Sequence, residues 1–309
     1  MNDFRKVALA ATIATYLLIL MGGLVRVSGA GLGCPDWPTC FGRWIPPTSV
    51  EQLPPDIDTE QFNFRLAWTE YINRLLGMIV GLLIAYTAIL ALMQYRRTPR
   101  ILYPSIAAAV LVAIEGWQGS QVVASELKPI IVSAHMVLAL IIVCLLTYVA
   151  HLAHMLEADA SSSYRLPNTS RNLLAGLGVI TALQVALGIH LRETLEIIAA
   201  GFSGLTEQEW LARVGLPNHI HLFIGILLAV STWLVMLKIL RIKDNCSPMV
   251  KKAARVLLVL SLLQLMVGLS FIPWGRVPVL QLMHMWLPTL YIGTLLLLYL
   301  AGRSSRRLA

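Results

Sequence analysis

Eight apolar stretches dominate this sequence, each about long enough to cross a ~30 Å hydrocarbon layer as a helix. They run approximately over 7–27, 68–94, 101–124, 129–153, 172–191, 218–240, 253–272 and 278–301, each bounded by charge, proline or a polar loop. Hydrophobic residues reach 57% and charged residues only 13%, about half the charged content of a soluble domain. The expected fold is an all-α integral membrane protein in the cell membrane, with lipid as its surroundings.

The net charge of +8 could point to nucleic acid, but the basic residues fall in short groups between apolar runs and not along one face. The N-terminus, the C-terminus and the connections after the second, fourth and sixth stretches, together with Lys238 and Arg255 at the stretch ends beside the last of these, hold 16 of the 24 Lys and Arg. Among them are Arg5, Lys6, Arg96, Arg97, Arg165, Lys243, Arg306 and Arg307. The positive-inside rule then places both termini in the cytoplasm, with two long external loops at about 28–67 and 192–217. The first stretch lacks a small-residue cleavage site, so it is expected to be a retained helix. Cys34 and Cys40 lie in the first external loop, where the oxidising side favours a local disulfide over a free thiol pair. Cys144 and Cys246 have no such partner or compartment.

An internal repeat lays the first four stretches on the last four. Glu115 precedes Gly119 by four residues and His135 follows it by sixteen; Gln264 precedes Gly268 by four and His284 follows it by sixteen. Gln184 and Gly188 repeat the four-residue unit with Arg192 four further on, and Gly22 has Arg26 four further on. Asn73 stands four residues before Gly77, as His221 stands four before Gly225. The expected domains are a first four-helix half over 1–155, a cytoplasmic linker over 156–171 and a second half over 172–309. Four equivalent positions result, at 73, 135, 221 and 284, roughly 6–10 Å below the external helix ends at 1.5 Å per residue.

An unsatisfied polar group in hydrocarbon costs several kcal/mol, so ionisable residues within the spans are functional candidates. Facing helices with side chains at one depth can clamp a porphyrin. His221 and His284 read as the axial pair of one haem iron, with His135 and Asn73 marking a related site in the first half. A single histidine would more simply bond a neighbouring helix; repeat-equivalent placement favours ligation. Arg26 and Arg74 sit at a depth suited to haem propionates. Glu70, three residues before Asn73 on the same face, reads either as an interfacial partner of Arg74 or as a proton-transfer group. Glu115, whose equivalents are Gln184 and Gln264, reads foremost as an interhelical hydrogen-bonding residue. His151 and His154 have a metal-compatible spacing but also suit a solvated interfacial face, and His190 and His219 have no repeat partners. No Cys-x-x-Cys-His motif for covalent haem occurs.

The run Gly22-Gly23-Leu24-Val25-Arg26 through Gly31-Leu32-Gly33-Cys34-Pro35-Asp36-Trp37-Pro38-Thr39-Cys40, the element Trp68-Thr69-Glu70-Tyr71-Ile72-Asn73-Arg74 and the placed histidines together resemble the haem A synthase family over essentially the whole chain. The resemblance implies oxidation of the C8 methyl group of haem O to the formyl group of haem A, with electrons passed through a bound haem b in the second half. By position it implies His221 and His284 as ligands of haem b, His135 as the ligand of the substrate or product haem, Glu70 as the catalytic carboxylate and Cys34 with Cys40 as the loop pair. Haem O synthase and cytochrome oxidase assembly factors are the implied partners, beside membrane lipid and without nucleic acid.

Two positions depart from the family's pattern. Asn73 stands where the family has histidine in Glu-x-x-His-Arg, and Leu222 stands where an arginine usually follows the histidine of the sixth stretch. A second cysteine pair found in some members is also missing. An amide is a poor iron ligand, so bis-histidine ligation in the first half is not expected. A haem held by His135 alone would keep an open face. The alternative reading is a non-catalytic b-type cytochrome or haem-binding assembly factor of the same fold. A transporter is less consistent, since no Gly/Pro-broken helix pair marks a midplane site.

Overall fold

The computed structural model describes residues 3–55, 57, 59–157, 166–202, 204, 206–242 and 246–303. Arg165, Lys243, Arg306 and Arg307, counted above as cytoplasmic charges, lie outside the described residues, as does 158–165 of the expected linker. Among the described residues the secondary structure is helical. Its α-helices are α1 (Asp3–Val27), α2 (Phe64–Gln94), α3 (Pro99–Ala124), α4 (Pro129–Glu157), α5 (Asn168–Gly201), α6 (Glu207–Val214), α7 (Leu216–Leu240), α8 (Pro248–Trp274) and α9 (Pro278–Ala301). All but α6 are long and apolar enough to cross a membrane, and the protein is a multi-pass membrane protein.

Local sequence explains where these helices start. Asn63 caps α2 by accepting from the Arg65 and Leu66 amides, at 3.0 and 3.2 Å. Proline occupies the first or second position of α3, α7, α8 and α9, where its missing N–H leaves no bond unmade. Hydroxyls inside the spans bond their own helix: Thr15 donates to the Ala11 carbonyl, Thr181 to Leu177 and Thr232 to Leu228. That keeps each hydroxyl satisfied where water is absent.

The chain divides into two compact units, Met1–Ala150 and His151–Ala309. In the first, α1 packs on α2 and α2 on α3. Ile142 and Leu146 of α4 join a core with Ala11, Val80, Ile84 and Ala108. In the second, α5 meets α7 and α9, while α8 meets α7 and α9, which closes a four-helix bundle. Its core of Met236, Ile239, Ala254, Leu257 and Leu298 fills the end away from the histidine positions.

The segment expected as an external loop over 192–217 differs. Helix α5 continues ten residues beyond 191, with Leu195 buried and an Arg192–Glu196 pair one turn apart along it. The apolar pattern carries on past the charge at Arg192, so that arginine does not end the helix. The capped helix α6 follows.

In the first unit, the described residues of 28–63 fold over the start of α2. Cys34 and Cys40 form the disulfide. Both are buried with Phe41 and Ala67, and Leu53, Ile57, Phe62 and Tyr71 pack around them. Gly33 is required by close approach, because a Cβ there would stand 2.3 Å from the Leu66 carbonyl oxygen.

Candidate haem site

In each unit the repeat-related side chains rest beside glycines of neighbouring helices, and in the second unit they also meet each other. On α5 and α7, the Cε1 of His221 lies 3.0 Å from where a Cβ on Gly188 would be. On α8 and α9, the Cε1 of His284 lies 3.1 Å from the same point on Gly268. The glycines let an imidazole rest directly on the neighbouring backbone. The two ring planes are inclined at 68° with their centroids 6.2 Å apart. A metal bonded at about 2 Å to one nitrogen of each ring, each nitrogen roughly 1 Å from its ring centre, needs about 6 Å between centroids. The observed spacing meets that requirement.

The surrounding amides hold these two helices in register. Gln184 Nε2 donates to the His221 carbonyl at 2.8 Å, and Gln264 Nε2 donates to the His284 carbonyl at 3.2 Å. Gln264 Nε2 also lies 3.1 Å from His284 Nδ1. Phe271 closes over the His284 ring at 5.1 Å. His221 Nδ1, Gln184 Oε1 and Gln264 Oε1 are buried and have no hydrogen-bond partner.

In the first unit His135 Cε1 lies 3.6 Å from a Cβ on Gly119, and Asn73 Oδ1 lies 3.9 Å from one on Gly22. The Glu115 carboxyl reaches to 3.2 Å from His135 Nδ1, without the alignment of a hydrogen bond. Asn73 Oδ1, Glu115 Oε2, Gln118 Oε1 and His135 Nδ1 are all buried without partners. Buried polar atoms are normally paired, and seven of the nine such orphans among the described residues fall at these two places, His151 Nδ1 and Arg171 Nε being the others. Gln118 was not singled out from sequence, and its position three residues after Glu115 on the same helical face was the available signal.

Glu70 and Arg74 form the outer margin of the first site. Glu70, only 4% exposed, accepts the Cys34 amide at 2.7 Å and pairs with Arg74. Arg74, read from the sequence as a propionate partner, also donates to the carbonyls of Asp36 at 2.7 Å, Thr39 at 2.8 Å and Cys34 at 3.3 Å. Its guanidinium thereby fastens the disulfide loop onto α2. Asp36 shapes that loop from within, accepting the Thr39 hydroxyl and the Phe41 and Gly42 amides. Sequence reading passed over Asp36, although an Asp flanked by prolines is an ordinary turn signal. Arg26 Nη1 contacts Met136 Sδ at 2.8 Å. Away from these sites, His151 is buried near the other end of α4, and His190 and His219 are exposed.

Comparison with known proteins finds relatives along nearly the whole chain. The sequence model of the family described as "Cytochrome oxidase assembly protein" matches residues 5–298. A protein named "Heme A synthase" from Shewanella oneidensis is 30% identical over 221 residues, 69% of this chain and 64% of its own length. One of the same name from Exiguobacterium is 25% identical over 299 residues, 96% of this chain and 92% of its own. Another from Geobacillus kaustophilus is 31% identical over 141 residues, 46% of this chain and 39% of its own. The match to the Shewanella and Geobacillus relatives thus spans less than two thirds of their length.

Proposed function

The chain belongs to the cytochrome oxidase assembly protein family, and from that premise we propose that it is a haem A synthase, an oxidoreductase converting the C8 methyl group of haem O to the formyl group of haem A. The observation that carries the reading is the pair of orphaned polar clusters, one framed by two imidazoles at a metal-compatible spacing and one by an imidazole and an amide. His221 and His284 hold haem b, which supplies one-electron transfer when bound. His135 holds the substrate haem in the first unit.

This chain's residues divide the work. Were Nε2 of His284 to hold iron, Nδ1 would carry the ring proton, and Gln264 Oε1, which has no partner, is the acceptor it would meet once Nε2 of that amide released the His284 carbonyl. Arg26 stands beside Met136, next to His135, and binds a substrate carboxylate. Glu70 stands one turn outward of Asn73, where its carboxylate would accept a proton from the reacting methyl group and pass it towards the water formed as dioxygen oxidises CH3 to CHO and supplies the formyl oxygen. The Cys34 amide and Arg74 fix the direction of that carboxylate, and the disulfide loop excludes water above it.

The test is to extract haems from cells that supply haem O, with and without the full chain. Haem A should appear only with the chain and should be lost with Glu70→Gln, for which a general acid–base role predicts a fall of about 100-fold or more. Low-spin haem b retained with no haem A formed would refute the synthase reading in favour of an electron-carrying or assembly cytochrome.

A further inference from the structure

In the second unit the position after the axial histidine is Leu222, while the matching position in the first unit is Arg74, which is engaged by its own loop. Another cation stands next to the second site. Arg192 lies one turn outward of Gly188, the glycine on which His221 rests, and its Nη1 reaches across to α9. There it meets Gln281 Oε1 at 3.1 Å and Met285 Sδ at 3.7 Å, and Met285 directly follows His284. Glu196 accepts from Nε at 2.9 Å and so orients the fork with Nη1 towards α9. Arg26 in the first unit makes the matching contact, to the methionine that follows His135.

A thioether is a weak acceptor and a neutral amide a modest one, whereas a guanidinium is matched in geometry and charge to a carboxylate. A porphyrin carries its carboxylates on one edge. We propose that Arg192, oriented by Glu196 and seated beside Gln281 and Met285, is the carboxylate anchor of the second-unit haem, turning the porphyrin's acidic edge outward. The assignment rests on the reading of His221 and His284 as axial ligands and adds the group that fixes the orientation of the ring between them. Arg192 binds cofactor and takes no part in the chemistry at the methyl group.

The test uses the full chain, produced under haem limitation and held in lipid nanodiscs. It is titrated with protohaem and separately with protohaem dimethyl ester, following the low-spin Soret band. A charge-assisted hydrogen bond is of a size that changes affinity about tenfold. The unaltered chain should therefore bind the diacid about tenfold more tightly than the diester. Arg192→Gln should lose that preference while keeping the diester affinity, and Arg192→Lys should restore part of it. An Arg192→Gln chain that still prefers the diacid, or that loses affinity for both forms equally, overturns the anchor while the axial pair stands. Absence of low-spin haem from the unaltered chain overturns the axial reading and the anchor with it.

Discussion

Around Gly188 and Gly268 two imidazoles stand 6.2 Å apart, whereas around Gly22 and Gly119 the corresponding places hold an amide and one imidazole. The partners differ as well. His284 is attended by the Gln264 amide, and His135 by the Glu115 carboxyl. Over the outer end, the first unit has a disulfide loop fastened by Glu70 and Arg74, and the second has the extended end of α5 and the short helix α6. One frame of glycines beneath ring positions therefore carries two different sets of side chains. Two imidazoles saturate an iron and suit it to passing electrons; one imidazole leaves a face on which a ligand can react. On the proposed reading, this is the division an oxidising enzyme needs between a relay and a reaction site.

Restoring the missing imidazole is the strongest way to break the contrast. With haem in both units, the unaltered chain should form a carbon monoxide adduct attributable to the first unit. Asn73→His should abolish nearly all of it and convert that haem to low spin, because Gly22 leaves room beside position 73 for a ring. An unaltered chain that shows only low-spin haem and no adduct would mean that another residue fills the sixth position.

Exchanging the second partners sharpens the contrast with a smaller effect. A carboxyl oxygen facing a ligand histidine accepts from Nδ1 and makes Nε2 a better donor, and loss of such partners typically lowers metal affinity 10–100-fold. Glu115→Gln should therefore weaken first-unit haem binding about tenfold and raise that haem's reduction potential, leaving the second-unit haem unchanged. Redox titration with haem quantification reads both. A potential unmoved by Glu115→Gln would show that the 3.2 Å approach to His135 has no electronic consequence.

The spans were legible because lipid leaves a helix little freedom: apolar length suffices where every backbone group must bond internally. The equivalence of Asn73 with His221 and of His135 with His284 was read from repeated intervals of four and sixteen residues. What spacing cannot express is competition for a side chain. Arg74 and Glu70 lie one turn apart on α2, but their engagement with Cys34, Asp36 and Thr39 depends on a loop whose path is set by Gly33, the disulfide and Asp36 together. Likewise Met285 and Gln281 carry no sequence signal of their own, and they matter only because α9 brings them against Arg192. The end of α5 was misplaced for a related reason, since Arg192 in the sequence resembles a membrane boundary and in the structure bonds within its helix.

The smallest effect concerns how the outer segments are held. The first unit's loop is closed covalently, whereas α6 depends on a capping box: the Thr206 hydroxyl accepts the Glu209 amide, and the Glu209 carboxylate accepts the Thr206 amide at 2.7 Å. Thr206→Ala should lower amide-exchange protection across 206–214 roughly fivefold, the size of one lost N-cap, with no change in haem content. The same bonds hold the Glu209 carboxyl below its ordinary range, because the Thr206 amide and hydroxyl donate to its charged form. A folded-state value below the unfolded one contributes stability that is complete above the unfolded carboxylate range near pH 4.3 and is lost as pH falls through the depressed folded value. Protection of 206–214 should therefore stay level from pH 7 to 5 and decline below that. Glu209→Gln keeps an oxygen that accepts the Thr206 amide but cannot titrate, so it should keep the protection and remove the decline. A decline that persists in Glu209→Gln would place the acid sensitivity of this segment in another group.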